Sequence, residues 1–129
     1  IGMPLPVNEK LSMVDLDDVA EIAVKSILND NFNFGIYELV GQNLSLKEQS
    51  NIISEILEMN IIAKQFNDSE AKNILKIPFK GKYGEKTYKT MFKYYSNHGL
   101  LGSSIILTKL LGRKPNTFSK VVKNFISTH

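Results

Sequence analysis

The sequence predicts an α/β chain, mostly helical with about three short strands, and three observations lead there. Runs of β-branched and aromatic residues are short and bounded by turn residues, while apolar residues recur at helical spacing over longer stretches. The order strand, cap, helix also occurs twice in the first half of the chain. With 129 residues, 43% of them hydrophobic, the chain is long enough to bury roughly two-thirds of its unfolded surface without staples. A single domain over residues 1–129 is expected, with residues 78–84 the only candidate linker.

Pro4 and Pro6 keep the first residues extended, and residues 10–14 form the first strand candidate, ending at Asp15. A helix follows to about Leu28, with Leu16, Val19, Ala20, Ala23 and Ile27 at the spacing of one buried face. Asp15 is its expected N-cap. Asp18 stands at the third helical position, and Asp17 and Asp18 read as cap and dipole partners rather than a metal pair or acid/base dyad. Residues 36–40 are dense in β formers and predict a second strand. Ser45-Leu46-Lys47-Glu48 is a capping box opening a helix to about Met59, with Ile52, Ile53, Ile56 and Leu57 inward. Residues 61–66 are the third strand candidate.

Beyond residue 66 the pattern is helical and basic. Asn67 or Asp68 caps a helix carrying Ala71, Ile74 and Leu75, which must stop near Pro78. Residues 79–84 read as loop. The next helix, from about Glu85 to Asn97, carries Tyr88, Met91, Phe92 and Tyr95 on one face, with Gly99 a left-handed terminator. Two helices close the chain, over 104–111 ended by Gly112, and over 118–127 capped by Thr117 with a stripe of Phe118, Val121, Val122, Phe125 and Ile126.

The net charge of +3 conceals an asymmetry: residues 1–64 carry four lysines against ten acids, and residues 65–129 twelve basic residues against three acids. The two halves should attract each other. The lysines lack stacking aromatics at a recurrent spacing, so the basic half reads as solvated helix faces rather than a nucleic-acid surface. Cysteine is absent, which excludes disulfides, thiolate metal sites and a cysteine nucleophile; the expected location is cytoplasmic. No apolar run reaches the roughly 18 residues of a membrane span.

Catalytic constellations are absent from the sequence. A short-chain dehydrogenase tyrosine needs a lysine four residues on to lower the phenol pKa, and none of the five tyrosines has one. His98 and His129 are too few for a histidine metal site, and His98 reads as a solvated cation at a helix end. No Gly-x-Gly-x-x-Gly spacing occurs to hold a dinucleotide. Tyr88, Met91 and Tyr95 are the candidate lining of a pocket for a planar substrate, set against their role in a helix core.

Three blocks in fixed order resemble the C-terminal half of NmrA-like proteins, the atypical short-chain dehydrogenase/reductases. They are Ser12-Met13-Val14-Asp15-Leu16-Asp17-Asp18-Val19-Ala20, then Ile36-Tyr37-Glu38-Leu39-Val40-Gly41 leading into Leu44-Ser45-Leu46-Lys47-Glu48, and Leu110-Leu111-Gly112-Arg113-Lys114-Pro115-Asn116-Thr117-Phe118. The last is similar to the family's leucine-glycine-arginine-x-proline-x-threonine ending, where a helix closes the substrate lobe. The resemblance implies the C-terminal substrate lobe of a Rossmann-type NAD(P)-binding protein, similar to NAD(P)H quinone oxidoreductases and azoreductases. It implies NAD(P) in the full-length protein, no cofactor on this chain alone, and a small planar acceptor such as a quinone. The alternative is a non-catalytic redox-sensing regulator or protein-interaction module of the same type. In such relatives the strand over residues 36–40 joins a sheet supplied by the N-terminal half. The expected partner is therefore that half, or a second copy bound through the strand edge and the face bearing Val19, Ala23, Ile52 and Ile56.

Overall fold

The computed structural model describes residues 1–32, 35–74 and 81–128. Its elements are β1 (Gly2–Met3), β2 (Lys10–Met13), α1 (Leu16–Leu28), a 3₁₀ turn at Asp30–Phe32, β3 (Gln42–Ser45), α2 (Leu46–Leu57), β4 (Lys64–Gln65), α3 (Asp68–Ile74), α4 (Gly81–His98), α5 (Ile105–Leu111) and α6 (Phe118–Thr128). They form two compact units, each built from two stretches of chain: Ile1–Leu11 with Leu44–Leu100, and Ser12–Asn43 with Leu101–His129. β2 pairs with β3.

In the first unit β1 runs parallel to β4, Gly2 opposite Lys64 and Met3 opposite Gln65. Gly2 lets the Phe66 ring lie against β1; a Cβ there would stand 2.1 Å from the ring, which would have to swing aside. The capping box opens α2 as expected: the Glu48 amide donates to Ser45 Oγ at 3.1 Å, and the Ser45 amide to Glu48 Oε2 at 2.7 Å. Asn67 settles the cap of α3, its Oδ1 accepting from the Ser69 and Glu70 amides at 3.0 and 2.9 Å. Gly99 ends α4 at φ +65°.

The second unit has a core of Ile22, Leu107 and Leu111, flanked by Val14, Phe32, Leu39 and Leu110. Asp15 caps α1 as expected, and Thr117 Oγ1 accepts from the Lys120 amide at the start of α6. Gly112 closes α5 in the left-handed region.

Several expectations are corrected. Residues 36–40 are not a strand; the strand lies later, at Gln42–Ser45. Ile36 is fully exposed and Tyr37 stands edge-on to Phe32, while Leu39 packs against the core and Val40 is buried, so these β formers pack as irregular chain rather than along a strand partner. The Ser12 hydroxyl and Asn43 Oδ1, 2.7 Å apart, meet where β2 and β3 pair. Without a strand at 36–40, the edge expected to support self-association is not formed there.

On α1 the buried side is roughly opposite the expected stripe: Asp18 and Ile22 are buried, while Leu16 and Ile27 are 78% and 82% exposed. The carboxylate contacts of Asp18, described below, orient the helix against its apolar periodicity. On α2 the buried positions are Leu46, Gln49 and Ser50; Ile52, Ile53 and Ile56 are half-buried and Leu57 is exposed. That helix stops at Leu57, where Glu58 adopts the left-handed conformation. The third strand shrinks to Lys64–Gln65. Residues 81–84, read as loop, are the first turn of α4; the rest of that candidate linker, Leu75 and His129 lie outside the described residues.

Candidate functional site

Each unit carries one arrangement with chemical content. In the first, α4 and the segment joining β4 to α3 enclose a cleft of about 540 Å³, within the size range of small-ligand sites. Phe66, Phe92 and Tyr88 supply aromatic walls and Pro4 an apolar edge. The Tyr88 and Phe92 rings lie 4.6 Å apart at 58°, one helical turn apart on α4.

Tyr88 is only 7% exposed, and its hydroxyl has no hydrogen-bond partner. Burial, with the Asp68 carboxylate nearby, raises its pKa above the ordinary phenol value and keeps the proton on oxygen. The Asp68 carboxylate is held by Lys89 at 2.9 Å. Lys93, one turn further along α4, also lines the cleft.

Of the residues singled out from sequence, the structure brings Tyr88 to this cleft. Met91 and Tyr95 are half-buried on the same helix, and Tyr95 packs edge-on to Phe92, behind the wall rather than on it. Pro4, Phe66 and Lys93 had no sequence signal, because nothing local to them announces that β1, β4 and α4 converge.

In the second unit the Leu110 to Phe118 block is tied to the start of α1. Asp18, with no exposed surface, accepts the Asn116 backbone amide at 2.7 Å and pairs with the Arg113 guanidinium at 2.9 Å. Arg113 also reaches Glu21, and the Asn116 side-chain amide donates to Asp15 Oδ2 at 2.7 Å. The Phe118 amide donates to Gln42 Oε1 at 2.7 Å. Glu21, between Lys25 and Arg113, is held below the ordinary carboxylate pKa, and Arg113 between Glu21 and Asp18 is raised. This network fastens α6 and the segment before it to α1. It also joins the acidic and basic halves of the sequence, the attraction their charges led us to expect.

The three helices that open next to a strand present carboxylates at their N-termini, where a pyrophosphate would meet like charge: Asp15 and Asp18 on α1, Glu48 on α2, and Asp68 and Glu70 on α3. No group of three or more metal-ligating side chains occurs among the described residues, and none of their helices is long and apolar enough to cross a membrane.

No family model and no curated protein sequence matches the chain. Solved structures do. A nucleoside-diphosphate-sugar epimerase from Staphylococcus aureus aligns with TM-score 0.75 at 18% identity, over 95% of this chain and 43% of its own. The triphenylmethane reductase of Citrobacter sp., also solved with NADP(H), aligns with TM-score 0.75 at 19% identity, over 98% of this chain and 44% of its own. An NADPH-dependent quinone oxidoreductase from Escherichia coli gives TM-score 0.72 at 18% identity, over 92% and 44%. The chain has the fold of a lobe of these Rossmann-type proteins. It spans less than half the length of the structures it matches.

Proposed function

We propose that this NmrA-like lobe is the substrate-binding portion of an NAD(P)H-dependent oxidoreductase acting on a small planar acceptor such as a quinone. The observation that carries the reading is the aromatic cleft of Tyr88, Phe66 and Phe92, in a fold shared with a reductase of triphenylmethane dyes and one of quinones. Hydride transfer between a cofactor and an acceptor needs orientation more than a protein nucleophile, so a lobe without a catalytic triad suits the task. On this reading the dinucleotide is held by residues outside these 129, which the carboxylate-capped helices of this chain support.

The test is NADPH oxidation by the natural gene product that carries these residues, followed with and without a naphthoquinone. Quinone-dependent consumption is expected. A gene product that binds NADPH and reduces no quinone would instead make the lobe that of a regulator.

A further inference from the structure

The cleft of the first unit has hydrogen-bond donors along one edge. Asp68, its carboxylate, pairs with Lys89 at 2.9 Å, and Gln65 and Ser96 also line it. The Asn67 side-chain oxygen is occupied by the amides of Ser69 and Glu70, which leaves its NH₂ group as what it can offer a ligand. Lys93 has only N–H groups to give. The Tyr88 hydroxyl is buried with no hydrogen-bond partner, an arrangement that a ligand acceptor would relieve. A cavity walled by three rings, with an unpartnered hydroxyl and an ammonium among its lining, suits a flat molecule with an exposed acceptor atom.

We propose that Tyr88 and Lys93 form a binding site for a planar aromatic molecule carrying a ring-bound oxygen acceptor, a carbonyl or its ionised enol, held by the Tyr88 hydroxyl and the Lys93 ammonium. This deepens the reading above and rests on it only for the reaction that follows binding. The aromatic walls take the ring faces; the hydroxyl, kept protonated by burial, donates to the oxygen. Tyr88 is a substrate-binding residue here, with no covalent step assigned to it.

The 129-residue chain is titrated calorimetrically with 2-hydroxy-1,4-naphthoquinone, which is ionised at neutral pH, with its neutral 2-methyl counterpart, and with naphthalene. Saturable binding of both quinones is expected, and naphthalene should bind more weakly. Tyr88→Phe keeps the ring and removes only the hydroxyl, so affinity should fall roughly tenfold while thermal stability holds or rises. Lys93→Gln, on the exposed side of α4, should weaken the ionised quinone several-fold and the neutral one little. Absence of saturable binding overturns the proposal, as does unchanged affinity in Tyr88→Phe, whether or not that variant is destabilised. Should Tyr88→Phe fail to fold, equal binding by Lys93→Gln and the unmodified chain overturns it. Tyr88-dependent binding without quinone-dependent NADPH oxidation by the gene product leaves the site standing and removes the reductase reading. Oxidation indifferent to Tyr88→Phe does the reverse.

Discussion

Asp18 is the residue on which the second unit turns. A carboxylate with no exposed surface is tolerated only when its charge is met, and the Asn116 amide and Arg113 meet it. Arg113→Met should therefore destabilise the chain by about 1–3 kcal/mol, the lower part of the range reflecting that water reaches the guanidinium and can replace some of it. Lys114→Met next to it should stay within about 0.5 kcal/mol. Urea unfolding compares the two, and equal effects would mean that the pair is ornamental. Three carboxylates add a pH dependence. Glu48 is held low by the Ser45 amide and Lys10, Glu70 by Lys64 and the Asn67 amide, and Glu21 by Lys25 and Arg113. Folded-state pKa values below the ordinary 4.5 contribute stability above that pH, which is lost as pH falls through the lower folded values. The urea midpoint should drop below pH 4.5, and the double variant Glu48→Gln, Glu70→Gln should flatten that drop. An unchanged slope would locate the acid sensitivity elsewhere.

The helices show which signals are local. Ser45 and Glu48 form the capping box their spacing announces, because both partners lie within one turn and depend on nothing distant. The strand over residues 36–40 failed for the opposite reason: its β formers need a neighbouring strand, and the chain pairs β2 with β3 instead. On α1 the apolar periodicity pointed to one side and a buried ion pair, assembled from residues almost a hundred positions apart, turned the other side inward. The end of α2 carries a further consequence. Glu58 holds φ +52°, a conformation that costs a residue with a Cβ about 1–2 kcal/mol. Glu58→Gly should raise stability by about 0.5–1 kcal/mol after the entropic cost of glycine, and Glu58→Val should lower it. Thermal unfolding of the two variants checks this, with loss of stability in Glu58→Gly as the adverse result.

At the scale of the whole chain, the fold was legible from three short blocks, because each is a turn or cap whose order along the sequence is itself information. The block from Leu110 to Phe118 turned out to be the fastening of that fold, through Arg113 and Asn116. The candidate site was legible only at Tyr88, since an aromatic cluster at helical spacing marks one wall and cannot name Pro4, Gln65 and Phe66, which line the rest. The central claim is a division of labour, in which these 129 residues hold the acceptor and leave the dinucleotide to others. Parallel calorimetric titration of the chain with NADPH and with 2-hydroxy-1,4-naphthoquinone tests it most directly. The quinone should give a saturable isotherm and NADPH no measurable heat; micromolar binding of NADPH to this chain would contradict the account.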